Sequence, residues 1–357
     1  MKYIACLRVG QNDVNAIINI EGERRANFSP LLDMRGKDDK YLKTFLESWT
    51  QSPFFLDVSR VAADAKDTYI VNKDLHNPEN AFSTKKKFFA DAFEANRGLV
   101  PVVSWRDTDE QRQVVQFAMQ LNTTYEKIAI RVSANSKPSA ASLARLHAIL
   151  DSVQRPETTT VIFDYGSTRP EDLSAGSEFH KMMLTIDAYG LEGICLLSTS
   201  YPADKPPSNT SRIVQCSDPE WQANAQMLGL KTKIIYGDFG ATNPTAPMEF
   251  IQGMVILPFA NYYIAPEWWQ RRKGGDREFP NYIEIAKEIR QLPGYHNDDY
   301  CWANREIFRI SKLPADAGAG YGSNGLWNGI KTNQHICVVI DQVSSVAKEL
   351  DDYDDFI

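Results

Sequence analysis

Residues 53–60 read PFFLDVSR, an apolar run that ends abruptly in an acid, a hydroxyl and an arginine. The same pattern, a short apolar run with a polar end, recurs along the chain. The eight runs cover residues 3–9, 28–35, 53–60, 100–106, 127–133, 159–167, 193–201 and 232–240. Short apolar runs with polar boundaries are typical of buried strands, so the sequence predicts eight of them.

Segments with a helical period separate these runs. In residues 38–50, for example, Tyr41, Phe45 and Trp49 recur at the spacing of one helix face. The other predicted helices are residues 85–98, 107–122, 139–153, 177–190, 218–229 and 280–294. Strands that alternate with helices indicate βαβ units and a parallel sheet. Eight units close a (β/α)8 barrel, so we predict an α/β fold of the TIM type in preference to an open doubly wound sheet.

Two segments fall outside this alternation. The predicted barrel spans residues 1–294, and residues 255–275 are expected to form an inserted hairpin or lid after the eighth strand. Residues 295–357 are expected to form a C-terminal extension that packs on the barrel. Its last residues, 351–357, are an acidic tail.

Composition excludes several classes of protein. With 357 residues, 43% of them hydrophobic, the chain can bury a large core, and its net charge of −7 argues against a nucleic-acid partner. The five cysteines form no CxxC pair, which indicates reduced thiols rather than disulfides or a zinc cluster. No run approaches the roughly 18 apolar residues that cross a bilayer, and the N-terminus turns polar too early for a signal peptide. We therefore expect a cytoplasmic protein without membrane contact.

The polar strand ends predict a site. In a parallel barrel the carboxyl ends of all strands meet on the face that carries the active site. The candidate catalytic acids are Asp33, Asp57, Asp164 and Asp238, and the candidate anion-binding residues are Arg8, Arg35, Arg60, Arg106 and Arg131. Such carboxylates act as acids, bases or ligands of Mg²⁺ or Mn²⁺, and arginines hold phosphate. The same residues could instead form a mutually neutralising network that orders the loops.

A second group of residues suggests a partner surface. The stretch WWQRRKGG (268–275) combines tryptophan and arginine, which are enriched where binding energy concentrates. The alternative is a hairpin that packs its tryptophans over the barrel mouth. A histidine in NQHICVV could face a pocket or make a structural hydrogen bond. The candidate partner-binding residues are Trp268, Trp269, Arg271, Arg272 and His335.

Four stretches together resemble the phage and bacterial beta protein family. They are PLLD (30–33), WWQRRKGG, the CW pair (301–302) and LWNGIKTNQHI (326–336). The matching positions are Pro30 to Asp33, Trp269, Arg272, Gly274, Trp302, Trp327, Asn333 and His335. The family is named for a phage protein described as preventing its co-encoded partner, gop, from killing the host. The resemblance spans nearly the whole chain and gives none of these residues a catalytic role.

The resemblance implies an antitoxin-like antagonist within an anti-phage defence cassette. Such a protein would neutralise a co-encoded toxic partner, either by binding it or by acting on what it makes. The residues alone leave two other classes open. One is a metal-dependent phosphodiesterase or other hydrolase that uses the acids and arginines of the barrel face, and the other is a structural scaffold. A small toxic gene beside this one would favour the antagonist.

Overall fold

The computed structural model describes residues 3–50, 52–60, 68–244 and 255–354, with side chains up to residue 345. Eight parallel strands close into a barrel, which confirms the predicted fold. The strands are β1 (Tyr3–Arg8), β2 (Phe28–Met34), β3 (Phe54–Val58), β4 (Leu99–Val103), β5 (Ile128–Ser133), β6 (Thr159–Gly166), β7 (Gly193–Ser198) and β9 (Ile234–Asp238), with β8 (Ser211–Gln215) outside the barrel. The barrel closes where β9 pairs with β1, Tyr236 opposite Tyr3.

Apolar side chains fill the inside of the barrel. Side chains alternate between the two faces of a strand, so every second residue points inward. The inner cluster comprises Ile4, Cys6, Leu31, Phe55, Val100, Val102, Ala129, Ile162, Cys195, Leu197, Ile235 and Phe239. Outward-facing residues join a larger cluster beneath the helices. Because the barrel is packed solid, the room for a ligand lies at its end.

Helices surround the strands. They are α1 (Gln11–Ile18), α2 (Glu23–Ala26), α3 (Lys40–Ser48), α4 (Thr68–Asn72), α5 (Glu79–Ala95), α6 (Gln111–Thr124), α7 (Ala140–Leu150), α8 (Glu178–Asp187), α9 (Asp218–Gln226), α10 (Asn281–Arg290), α11 (Trp302–Ser311) and α12 (Asn324–Asp354). Ser139 and Ser177 cap α7 and α8, since each hydroxyl accepts a hydrogen bond from a backbone N–H three residues later. No helix in the described ranges has both the length and the apolar character to cross a membrane.

A three-stranded antiparallel sheet lies beside the barrel. Residues 255–275 contain the hairpin of β10 (Phe259–Ile264) and β11 (Glu267–Arg272), and β8 joins as the third strand in the order β10-β11-β8. The sequence did not reveal β8, because SRIVQ is a short run that lacks the continuous apolar character of the barrel strands.

The C-terminal helices join this sheet to the barrel. The helix expected at 280–294 forms as α10 and packs against α11 and β10, whereas α12 packs against α1, α11, β1 and β10. Asn333 on α12 donates a hydrogen bond to the carbonyl of Ala16 at 2.8 Å and accepts one from the N–H of Ala303. The side chains of the acidic tail lie outside the described residues.

Candidate functional site

A cavity of about 330 Å³ opens at the carboxyl ends of the barrel strands. Its charged side chains come from β1, α1, β2, β5, β6 and the segments that follow β2 and β3, because the strand ends converge there. We call this cavity the cup. Its charged lining residues are Arg8, Asp13, Asp33, Arg35, Arg60, Arg131 and Asp164.

Arg131 lies at the bottom of the cup among three carboxylates. Its guanidinium is 3.4 Å from Asp33, 3.1 Å from Asp57 and 2.8 Å from Asp164. All four residues occupy strand positions whose side chains point into the barrel. The structure therefore brings these sequence-predicted residues together. Arg131 is 5% exposed, and its pairing with several acids offsets the cost of burying them. The acids and the arginine are therefore one ionic network.

A buried lysine completes this network from outside the barrel. Lys85 on α5 donates a hydrogen bond to Ser104 at 2.9 Å and lies 3.5 Å from Asp57, to which Ser104 also donates. Burial raises the pKa of Asp57, but the Lys85 and Arg131 cations outweigh this effect and hold the pKa below its ordinary value. Burial raises the pKa of Asp33, against the opposing pull of Arg131. The network thus holds Asp57 more firmly as an anion than Asp33.

Sequence reasoning missed Lys85, although a signal for it exists. In KKKFFADAF the first lysine precedes Phe88 and Phe89 by three and four residues, so it shares their buried helix face. The ammonium lies 5.8 Å from the centre of the Phe89 ring. A lysine on an apolar helix face indicates a buried charge that needs an acid nearby.

Arg60 reaches the cup from the end of β3. Its guanidinium donates to Asp164 and to the Ser133 hydroxyl, both at 2.7 Å. The side chains of Arg60 and Asp164 are 15% and 11% exposed, so this pair lies closer to the solvent than the contact of Arg131 with Asp57. Arg60 therefore adds positive charge to the wall of the cup.

Arg8 is the cation of the cup without an ion-pair partner. Within the described ranges no carboxylate lies within 4.0 Å of its guanidinium. Burial lowers the pKa of Arg8 and neighbouring Arg35 lowers it further, although the more distant Asp13 and Asp33 carboxylates oppose the change. An anion bound directly to Arg8 would offset the cost of its burial and the repulsion from Arg35, since an opposite charge in contact favours the charged form.

Asp13 on α1 is a cup residue that the sequence did not single out. Burial raises its pKa to about 6, although the Lys331 and Arg8 cations oppose the rise. Lys331 on α12 is buried, and its ammonium donates to the Tyr201 hydroxyl at 3.2 Å. Burial also lowers the pKa of Lys331 to about 8. The cup thus contains a carboxyl group whose pKa lies well above that of an ordinary aspartate.

Two predicted residues lie elsewhere. Asp238 has the opposite parity on β9 and faces α12, where it accepts hydrogen bonds from Tyr3 at 2.6 Å and pairs with His335 at 2.9 Å. Phe239, the next residue, lines the cup instead. Arg106 donates to Asp109 at 3.0 Å and to the carbonyl of His76 at 2.9 Å, away from the cup. The expectation that both belong to one ring of charges is corrected.

Two of the five candidate partner-binding residues are buried. Trp268 and His335 are 1% and 2% exposed, and their rings lie 4.9 Å apart between β11 and α12. Trp269, Arg271 and Arg272 remain partly exposed, with Arg271 paired to Glu288 at 2.9 Å. Strand alternation turns Trp268 inward and Trp269 outward, which corrects the expectation that both tryptophans offer a surface.

The acids of the cup do not suit a metal ion. In the part of the chain that the structure describes, no group of three or more His, Cys, Asp or Glu side chains is placed to hold one. Asp33, Asp57 and Asp164 do converge, but the guanidinium of Arg131 occupies the space between them. The donor set therefore does not fit the Mg²⁺ or Mn²⁺ considered from the sequence.

Comparison with known proteins identifies one family. A family model described as Beta protein matches residues 3–341, which include the barrel, the three-stranded sheet and the part of α12 that packs on them. The matched range contains the four stretches that carry the resemblance noted in the sequence. No curated protein matches the chain.

Proposed function

Because this chain belongs to the Beta protein family, we propose that it is an antitoxin-like antagonist of a co-encoded toxic protein in an anti-phage defence cassette. It acts by holding a small anionic molecule, of the phosphate class, that the toxic partner makes or uses. The observation that carries the proposal is the guanidinium of Arg8 in the cup, which has no ion-pair partner among the residues that the structure describes. The cytoplasmic location expected from the sequence belongs to the same proposal.

The geometry of the cup supports an anionic ligand. A cavity of about 330 Å³ suits a small molecule, and it lies on the face where barrels of this type carry their sites. Arg8, Arg35 and Arg60 line it, and guanidinium groups match the oxygen geometry of phosphate. Asp13, with its pKa of about 6, can donate a hydrogen bond to a phosphate oxygen when it is protonated.

Metal-dependent hydrolysis, the alternative considered from the sequence, receives less support. A metal ion bound by Asp33, Asp57 and Asp164 would have to displace Arg131, which contacts all three. Displacement would leave a buried guanidinium without its partners, at a cost of several kcal/mol. We therefore assign no step to a metal ion.

Ligand binding is tested by titrating inorganic phosphate and pyrophosphate while the melting temperature is measured. A ligand that binds only the folded state raises the melting temperature by mass action. We expect a rise for the wild type and for Arg112→Gln, a change at an exposed arginine on α6. Arg8→Gln should show little or no rise. Equal rises in both variants, or none in the wild type, would contradict the proposed site.

The antagonist role is tested separately, by co-expression with the toxic protein of the same cassette. Wild type and Arg112→Gln should protect the host, and Arg8→Gln should not, at equal levels of soluble protein. If Arg8→Gln has lost anion binding but still protects fully, protection comes from direct contact with the partner. If the wild type does not protect, the antagonist role is wrong.

A further inference from the structure

The outer edge of β8 has no hydrogen-bonding partner among the described residues. Toward β11, the N–H of Cys216 donates to the carbonyl of Pro266 at 2.7 Å, and the carbonyl of Thr210 accepts from Arg272 at 3.0 Å. In an antiparallel pair these bonds recur at every second residue. The backbone groups of the intervening residues therefore point away from β11, and no backbone bond within the described ranges reaches them. These residues are Ser211, Ile213 and Gln215.

The usual protections of an edge strand are missing here. Natural sheets guard free edges with outward charges, proline or bulges, since an open edge pairs with other chains. β8 contains no proline, and its central Ile213 is 62% exposed. Its one charged residue, Arg212, is directed to neighbours: it donates to Gln270 at 2.7 Å and to Asp204 at 2.8 Å. The edge therefore offers a neutral row of donors and acceptors.

We propose that this edge binds the β8 edge of a second copy of the chain. In an antiparallel pair centred on Ile213, Ile213 lies opposite its own counterpart and Ser211 lies opposite Gln215. Each outward N–H then meets an outward carbonyl, since all three residues fall at hydrogen-bonded positions. The two sheets become one, related by a two-fold axis. This proposal is independent of the ligand in the cup.

Charge complementarity favours this occupant. The self-paired register places no like charges directly opposite each other, because Arg212 falls opposite Val214, and each Arg212 is already neutralised by Asp204. A strongly charged strand would find no counter-charge on β8 itself. The neutral edge of a second copy therefore matches this one better than a basic or acidic segment would.

Apolar contact adds to the backbone pairing. On β11, Trp269 lies opposite Ile213, and Tyr262 of β10 lies opposite Trp269, so one row of large side chains crosses the sheet and ends at the exposed isoleucine. A second Ile213 across the edge would continue this row. Cross-strand pairs of aromatic and β-branched residues stabilise sheets in this way.

Sedimentation velocity tests the proposal on the full chain over about 1–100 µM, where dimers of moderate affinity respond to mass action. The wild type should shift from monomer to dimer as its concentration rises. Ile213→Lys should raise the dissociation constant roughly tenfold or more, since it places like charges opposite each other. The matched control is Val71→Lys on α4, where the valine is 63% exposed and far from β8 in sequence, and it should dimerise as the wild type does.

Amide hydrogen exchange gives a second readout that a different dimer would not reproduce. Exchange at Ser211, Ile213 and Gln215 should slow as the concentration of the wild type rises, because their N–H groups become bonded. Arg212 and Val214, which already face β11, should change little. A wild type that stays monomeric at every concentration would overturn the proposal, and so would a dimer that Ile213→Lys leaves intact or that leaves exchange at the three residues unchanged.

Discussion

At the residue scale, buried charges determine what the cup can do. Three acids that would suit catalysis or metal binding are held by Arg131 instead, while Arg8 forms no ion pair with a carboxylate in the part of the chain that the structure describes. A buried arginine among acids stabilises them, whereas a partly buried arginine without a partner is free to meet an anion. The different surroundings of these two arginines separate a structural ion network from a binding site.

The buried Lys331 makes the stability of the protein depend on pH. Burial lowers the pKa of Lys331 to about 8 from 10.5, so between these values the unfolded chain binds more protons than the folded one. The free energy of unfolding therefore rises with pH across this window, and the full destabilising effect of Lys331 is present below pH 8. Relative to Lys331→Met, the wild type should gain roughly 3 kcal/mol from pH 8 to 10.5, at about 1.4 kcal/mol for each unit of pKa.

Urea unfolding at a series of pH values measures this difference. Lys312→Met, a change at an exposed lysine just after α11, serves as the control and should leave the slope of the wild type unaltered. A difference between wild type and Lys331→Met that does not vary with pH would show that Lys331 is not buried as a cation.

At the scale of elements, the hairpin of β10 and β11 separates two neighbouring tryptophans. Trp268 is 1% exposed and packs edge-on against Tyr201, with ring centres 5.0 Å apart. Trp269 points to the other face and remains partly exposed. One strand thus supplies a core residue and a surface residue from the same dipeptide, as alternation requires.

This arrangement predicts opposite defects in two variants. Trp268→Ala should destabilise the protein by about 3–5 kcal/mol, the usual cost of removing a buried aromatic side chain. Trp269→Ala combined with Arg272→Ala should cost much less in stability. If protection comes from direct contact with the toxic protein, the double variant should also lose protection, since each substitution costs about 1–3 kcal/mol of binding where the residue lies centrally in the interface.

Urea unfolding and the co-expression assay together decide between these outcomes. Full protection and full binding in a pull-down by the Trp269 and Arg272 double variant would place the partner surface elsewhere. A small loss of stability in Trp268→Ala would mean that the buried position described for this side chain is wrong.

At the scale of the whole molecule, one carboxylate connects the first and last strands of the barrel to the C-terminal helix. Asp238 at the end of β9 accepts a hydrogen bond from Tyr3 on β1 and pairs with His335 on α12. Tyr3 and His335 lie 235 and 97 positions from Asp238 along the chain. The contact therefore supports barrel closure and α12 docking together.

Removing one donor from this contact should weaken the whole fold. Tyr3→Phe leaves the buried Asp238 carboxylate without the Tyr3 hydroxyl, and we expect a loss of about 1–3 kcal/mol in the free energy of unfolding. The control is Tyr165→Phe, since the Tyr165 hydroxyl is equally buried but has no hydrogen-bond partner in the described chain. It should cost little. Equal losses in the two variants would contradict a specific role for the contact.

The sequence by itself determined the barrel, because its signal is local. Each strand and most of the helices that surround the barrel carry their own pattern, and alternation along the chain identifies the architecture without any knowledge of long-range contacts. It also predicted that Asp33, Asp57, Arg131 and Asp164 meet, since strands of a parallel barrel all end on one face.

Only the tertiary structure decided which way each strand end points and what each charge meets. A shift of one residue reverses the facing of a side chain, so Asp238 lies outside the barrel although Asp164 lies within it. The partners of Lys85 and Lys331 come from distant segments, and the burial of these two lysines is not visible in the local pattern. The fold follows from local periodicity, whereas the charge balance of the site depends on contacts between residues far apart in the chain.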